Sequence, residues 1–374
     1  MKLTRCTTCV MPTTRPDTAF VDGKCSACLH YEKRVEVDWA QREAELIKIL
    51  QYGRKFSSGG YDCIVPSSGG KDSTYQVLKL IELGARPLVV TATTCHLTPL
   101  GRKNIDNLAK YATTIEYTVN KTTRRKLNRL GLEIVGDISH PEHMAIFSVP
   151  FRAARDFGIP LIFYGENPQR EYGSPLGAEQ ALMMTKRWVS EFGGLLGMRP
   201  KDFIGMDDIL AEDMVDYMMP DDSEIADIEA YFLGQFIPWD SRGNAKLAIE
   251  HGFQTGAPCE ASYWSFENLD NAQTGIHDHG MFRKFGFGRL CQQISVDVRR
   301  GLISRDTALD IVRANDGRFP KRYAGVTVDE VLKALDRDMA WLKENLDAHT
   351  DWSLFSHNDG ARPILKEFAE EVVA

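Results

Sequence analysis

The sequence predicts an α/β protein: a parallel sheet with helices on both faces, a zinc-ribbon-like module before it and a mainly helical region after it. Three observations carry that expectation. Short apolar runs alternate with stretches of helical length between residues 61 and 164, the pattern of strand–helix–strand units whose parallel strands need crossovers. Two CxxC pairs crowd into the first 28 residues. Beyond about residue 175 the apolar spacing turns mainly helical. The expected divisions are 1–35 for the cysteine module, 36–200 for the α/β domain and 201–374 for the helical region.

In the head, Cys6-Thr-Thr-Cys9 and Cys25-Ser-Ala-Cys28 are separated by fifteen residues. Each CxxC turn aims two thiolates at one point, and two such turns build the tetrahedral four-sulfur site that zinc favours. Four protein ligands leave no open position, so the expected site is structural. Pro12, Pro16 and Asp22-Gly23 suit a loop-rich module that depends on its metal to fold. Two redox-active or merely buried thiol pairs, or an iron–sulfur cluster on the same ligands, are the alternatives. No partner motif in the chain asks for redox chemistry.

Residues 61–74, YDCIVPSSGGKDST, carry the strongest chemical signal. Cys63-Ile64-Val65-Pro66 reads as a buried strand. It runs through Ser67, Ser68, Gly69, Gly70, Lys71, Asp72, Ser73 and Thr74 into an amphipathic helix ending at Gly84. A glycine turn between a strand and a helix N-terminus cradles phosphate. Backbone N–H groups approach the anion, serine hydroxyls donate, and the helix dipole favours negative charge. A Walker A loop would read GxxxxGK[ST], which this segment does not. It resembles instead the SGGxDS signature of the PP-loop ATP pyrophosphatases; a polar capping loop is the alternative.

Pro87–Thr93, Thr114–Val119 and Pro160–Tyr164 read as further strands, with helices over Leu100–Tyr111 and 141–157. Ligands in such sheets sit at the carboxyl ends of the strands. Three segments therefore converge on one crevice: Ser67–Ser73, Thr91–Cys95 and Gly165-Glu166-Asn167. The PP-loop resemblance implies ATP there, with adenine framed by Thr91, Ala92 and Thr93 and with Glu166 near the phosphates. Asp72 is the expected magnesium carboxylate, because Mg²⁺ takes few carboxylates beside phosphate oxygens and water. Lys71 either neutralises charge developing on phosphate or faces outward.

In the second half, Met206–Met219, Asp222–Phe232, Asn244–His251, Arg289–Arg299, Arg305–Ala314 and Val328–Leu346 read as helices. Between them Gly256–Arg289 has neither period, and long irregular segments in compact domains are usually functional. It is the expected substrate-facing wall and carries Trp264, Glu267, His277, His279, Arg283 and Lys284. His277 and His279 are weak metal candidates without a third ligand at an obvious spacing; histidines bonded to backbone or substrate are the simpler reading. Arg283, Lys284 and Arg289 suit a phosphate or carboxylate, or a solvated surface. Asn167, Arg170 and Tyr172 lie nearer the reacting end. Trp239 and Trp264 would stack on a sugar or base, or pack in the core. Cys63, Cys95, Cys259 and Cys291 read as small buried hydrophobes.

The 374 residues are 43% apolar and 26% charged, with 45 basic against 52 acidic side chains and a net charge of −7. That balance argues against general affinity for nucleic acid or anionic membrane. The N-terminal stretch lacks a signal-peptide core, and no run approaches the ~20 apolar residues of a membrane span. A cytoplasmic location is expected.

Four segments together, RCTTCVMPTTRPDTAFVDGKCSAC, SSGGKDSTY, YGENPQREYG and HDHGMFRKFGFGR with the following DVRRGLISRDTALDIV, resemble the N-acetyl sugar amidotransferases of surface-polysaccharide and nonulosonic acid biosynthesis. The resemblance covers residues of about 1–350. It implies conversion of an N-acetyl group on a nucleotide-activated or acidic sugar to an acetamidino group through an O-adenylyl imidate, with release of pyrophosphate and AMP. It also implies ammonia from a glutaminase subunit, together with a cyclase-like barrel subunit. A tRNA-thiolating relative also joins CxxC pairs to an SGGxDS loop. Against it stand the acidic charge and the lack of a second CxxC in residues 61–200; the basic run Lys121–Arg129 is its one supporting tract. A non-catalytic ATP-binding scaffold is the third reading, opposed by the intact Gly69, Gly70, Asp72 and Ser73.

Overall fold

Strands buried on both faces of a parallel sheet are apolar at nearly every position, and CIVP, PLVVTA and LIFY fit that rule. In the computed structural model, which describes residues 3–358 and 362–369, they form the middle of a five-stranded sheet. Across the sheet the order is Thr113–Tyr117, Pro87–Ala92, Cys63–Pro66, Leu161–Tyr164, Glu229–Phe232, with every neighbouring pair parallel. The chain starts at the central Cys63–Pro66 strand and winds to one edge. It then crosses back to Leu161–Tyr164 on the other side. The switch point therefore lies between Cys63–Pro66 and Leu161–Tyr164, where such sheets open a crevice.

Alternate side chains point to opposite faces. Ile64, Leu88, Val90 and Ile162 pack under the His140–Phe157 helix with Phe203, Met214 and Tyr217. Cys63, Val65, Val89, Leu161 and Phe163 pack on the other face against Leu46 and Leu50 of the Trp39–Phe56 helix and Val77 and Leu80 of the Lys71–Glu82 helix. The cysteine head does not rest on the sheet. It shares a core with Phe282, Leu290, Ile294, Val312 and Leu365 from the C-terminal helices and final strand pair. Among the described residues no helix is long and apolar enough to cross a membrane.

Four expected elements differ. Met206–Met219 is not an α-helix but two 3-10 turns, Met206–Asp208 and Glu212–Tyr217. Asp207 and Asp208 sit at φ +45° and +55°, and the nearby carbonyls bond outward: Ser148 Oγ donates to Asp216 O at 2.6 Å and Arg152 Nη2 to Met218 O at 2.9 Å. Tertiary donors thus replace the helical ladder. Asp222–Phe232 yields the edge strand Glu229–Phe232, which buries Ala230 and Phe232 on one face and pairs with Leu161–Tyr164. Val328–Leu346 splits into Val328–Ala334 and Met339–Ala348, because Asp336 turns left-handed (φ +56°) and Asp338 caps the second helix through Trp341 N at 2.9 Å.

The fourth difference matters most for function. Gly256–Arg289 is irregular only in its first half, and Thr274–Phe285 is an α-helix. Its buried face is Ile276, His279, Gly280, Phe282 and Arg283, and the polar members of that face hide the apolar period. Cys95 and Cys259 are half-buried rather than core residues, whereas Cys63 and Cys291 are buried. Within the basic Lys121–Arg129 run, Arg124 is buried against Glu142 and Tyr217 and Arg129 pairs with Asp207, so that tract is partly an internal one.

Candidate active site

Ser67 N donates to Val90 O at 2.9 Å, which carries the central strand into the turn. Ser67 Oγ lies 2.8 Å from Ser73 Oγ and accepts from Gly69 N at 2.9 Å. The Ser73 and Thr74 hydroxyls donate to the Gly70 carbonyl at 3.1 and 2.9 Å. Gly70 is the N-cap of the Lys71–Glu82 helix, and Ser68 stands exposed at the tip. The result is a tight turn with a helix N-terminus aimed across it, a geometry suited to an anion.

Gly69 is required there for two reasons. Its φ is +78°, and a Cβ would stand 2.7 Å from Ile105 Cγ1 and 2.8 Å from the Ile105 backbone nitrogen. Left-handed strain alone costs roughly 1–2 kcal/mol, and the backbone overlap adds to it. Gly69→Ala is expected to lose at least about 2 kcal/mol of stability. A shift of the urea midpoint reads this, and an unmoved midpoint would contradict the argument.

The turn borders a cleft of about 390 Å³ lined by Ser67, Ser68, Asp72, Gln76, Ala92, Glu166, Tyr172, Glu267, Asp270 and Arg289. Lys71 does not face outward. It is buried, with Nζ 2.5 Å from Asp72 and 3.5 Å from Glu267, and it lies 5.9 and 5.6 Å from the ring centroids of Trp264 and Phe266. Burial opposes its charge, but Asp72 and Glu267 outweigh burial and hold the ammonium well above the ordinary lysine range. Glu267 is held low: Lys71 and Arg289 overcome its burial. Asp72 also accepts from Asn244 Nδ2 at 2.9 Å. Glu267 and Arg289, expected on the substrate-facing wall, are thus part of the site, as are Asp270 and Asn244, which the sequence does not single out. Glu267 and Arg289 lie in the polar-aromatic stretch; nothing marks Asn244.

Burial, and next the charge of Asp72, push Glu166 up to about 7. Burial likewise raises Asp270 and Asp316 to about 6. A carboxyl whose folded pKa exceeds its unfolded one stabilises the fold when protonated and loses that contribution as pH rises through the folded value. Without nucleotide, these three carboxyls are therefore expected to lower thermal stability as pH rises from about 4 to about 7. Glu166→Gln should flatten the upper part of that decline in a pH series of melts. An identical slope in the variant would count against the raised carboxyl.

The other expected site residues divide. Thr91 and Thr93 do not line the cleft, and their buried hydroxyls have no hydrogen-bond partner among the described residues. Gly165 lets its backbone close on Gln76 and Trp239, where a Cβ would meet them at 2.8 and 3.1 Å. Asn167 caps the short Pro168–Tyr172 helix by accepting from Gln169 N at 2.9 Å. Tyr172 reaches the cleft, whereas Arg170 bonds Gln235 Oε1 at 2.9 Å and lines a different hollow with His30 and Glu179. Trp264 is buried, donates to Asp297 Oδ2 at 3.1 Å and roofs Lys71 rather than the cleft. Trp239 is core.

His277, His279, Arg283 and Lys284 stand away from this wall, on the Thr274–Phe285 helix. His279 is buried, its Nδ1 3.0 Å from Gly317 O. Arg283 donates to Thr350 Oγ1 at 2.7 Å and pairs with Asp347, and Lys284 donates to Val135 O at 3.1 Å. His277 meets Asp137.

In the head, all four cysteines are buried, and their ligand atoms lie within 4.8 Å of one another. The Sγ–Sγ distances are 3.8 Å for Cys6–Cys28, 3.7 Å for Cys9–Cys25 and 3.5 Å for Cys25–Cys28. Tetrahedral zinc at ~2.3 Å from each sulfur would set such distances near ~3.8 Å. Backbone N–H groups of Thr8, Cys9 and Cys25 reach Cys6 Sγ at 3.3–3.5 Å, which supports a thiolate. The donors fit a closed four-sulfur zinc site. The head also ties two regions together: Arg305 Nε donates to the Cys6 and Cys9 carbonyls at 3.1 and 3.2 Å, and Ser174 N to Ser26 Oγ at 3.0 Å.

No curated protein matches the chain. Residues 260–370, which contain Glu267, Asp270 and Arg289 of the cleft wall, match the family described as LPS biosynthesis protein WbpG-like, C-terminal domain, and that match supports a place for the chain in surface-polysaccharide biosynthesis.

Proposed function

We propose that the protein is an ATP-dependent, AMP-forming amidotransferase that converts the N-acetyl group of an activated bacterial sugar to an acetamidino group. The observation that carries this reading is the Ser67–Thr74 turn at the switch point of the parallel sheet, with Asp72 and Glu166 bordering one cleft. The lipopolysaccharide-related match of residues 260–370 supports a role in surface-polysaccharide biosynthesis, with which a sugar substrate is consistent. The Gly69 turn and the helix N-terminus behind it fit a nucleotide.

The chemistry follows from the weakness of an acetamide carbon as an electrophile. Its oxygen attacks the α-phosphorus of ATP, the α–β bond breaks, and pyrophosphate leaves. Ammonia then adds to the activated carbon, and the C–O bond to AMP breaks to give the amidine. The turn's N–H groups and Ser68 hold the triphosphate, and the ammonium of Lys71 keeps Asp72 oriented. Glu166, which titrates near neutrality, suits the task of taking the proton that ammonia sheds. Asp72 is the residue that would hold Mg²⁺, which when bound neutralises phosphate oxygens. Zinc in the Cys6, Cys9, Cys25 and Cys28 site has a structural role. Ammonia comes from a glutaminase partner acting with a cyclase-like barrel subunit, in the cytoplasm.

The test supplies ATP-Mg, ammonium and a panel of N-acetylated nucleotide or acidic sugars, and measures AMP and pyrophosphate. Release that requires both sugar and ammonium is the expected result. AMP formed only with bulk tRNA would transfer the site to a thiolating enzyme, and ATP binding without turnover would make it a scaffold.

A further inference from the structure

The loop after the Lys121–Val135 helix brings Asp137 against one imidazole of the next helix, His140–Phe157, and one of the distant Thr274–Phe285 helix. Asp137 Oδ1 lies 2.7 Å from His277 Nδ1, and Oδ2 lies 3.3 Å from His143 Nδ1. One ligand atom from each residue falls within 4.8 Å of the other two. The carboxylate is buried and further fixed by Ser139 N at 2.8 Å. The imidazoles stand edge to face and keep 26% and 20% of their side-chain surfaces exposed.

We propose that Asp137, His143 and His277 form a second metal site that takes one zinc-class divalent transition ion. Two imidazole nitrogens and one carboxylate oxygen are the donors such ions prefer, whereas magnesium and calcium favour oxygen alone. Three protein ligands leave a coordination position open, in contrast to the closed four-sulfur head. Gly194, at φ +74°, leaves room for the His143 imidazole, where a Cβ would press on Nδ1 at 3.1 Å.

The position is not remote from the cleft. His143, Ile146 and Pro150 follow one another on a single face of the His140–Phe157 helix, and the last two line the cleft beside the Ser67–Thr74 turn. On the Thr274–Phe285 helix, Met281 lies one turn beyond His277 and lines a second cleft of about 400 Å³ with Gly194 and Leu195. The open position thus lies within about a helical turn of residues lining each cleft. The site needs neither the proposed activity nor the head's zinc for its existence.

The test is metal content of the full-length protein after incubation with zinc and removal of loose ions by gel filtration. Wild type is expected to hold one zinc per chain more than His143→Ala and His277→Ala, each variant keeping the ion of the four-cysteine head. Equal zinc in wild type and both variants would overturn the proposal and leave a hydrogen-bonded His–Asp–His cluster. Cobalt titration of the wild type decides independently of how the variants fold. A second equivalent should add weak visible bands without the thiolate charge-transfer absorption of the first. Saturation at the first equivalent would equally overturn the site.

Discussion

Asp72→Asn is expected to lower AMP formation by at least about 100-fold while the protein still folds. The asparagine carbonyl can still accept from Asn244, which now bonds Asp72 Oδ1 at 2.9 Å. Glu267 remains within 3.5 Å of Lys71 Nζ, so the buried ammonium keeps one anionic partner and collapse is avoided. What disappears is the negative charge that would hold Mg²⁺ on the triphosphate. A preorganised electrostatic group of this kind is worth roughly 10²–10³ in rate. The measurement pairs AMP release with a thermal melt: normal turnover would remove the magnesium role from Asp72, and an unfolded variant would make the residue structural.

Cys6→Ser is expected to lose both the head's zinc and most soluble protein. Structural zinc contributes on the order of 10 kcal/mol to folding at neutral pH, comparable with the whole stability of an ordinary domain. Cys6 is the thiol on which three backbone N–H groups converge, and a serine oxygen is a poor zinc ligand. Without the ion the head loses its grip on Arg305 and Ser26 no longer anchors Ser174, two residues beyond Tyr172 in the cleft wall. Zinc per chain and soluble yield check the result; unchanged zinc would refute the four-thiolate site.

How legible such a protein is depends on the range of the signal. CIVP, PLVVTA and LIFY announce themselves because burial on both faces demands local apolar runs. SSGGKDST and the two CxxC pairs are similarly local, since all their chemistry lies within a few residues. EAYF reads as the end of a helix because its strand state is imposed by pairing with Leu161–Tyr164, a contact no local window contains. The Thr274–Phe285 helix is hidden because its buried side includes His279 and Arg283, whose partners Gly317, Thr350 and Asp347 lie far along the chain. The same distance conceals the cage around Lys71: the spacing of Glu267 from Lys71 carries no period at all. His277 looked at most like a weak metal ligand because its companions, Asp137 and His143, stand more than a hundred residues upstream.

The docking of the head on the far end of the chain has a consequence for biosynthesis. Arg5 Nε and Nη2 donate to Glu367 at 3.0 and 2.6 Å across 362 positions, and the cysteines share a core with Leu354, Phe355 and Leu365. During synthesis the head thus waits for residues up to 362 positions downstream before its surface is covered. Contacts of such separation are the slowest to form, and the nascent head meanwhile exposes four thiols and an apolar face. Early zinc capture would protect those thiols from oxidation during that interval, so metal supply during synthesis should govern the yield of newly made protein.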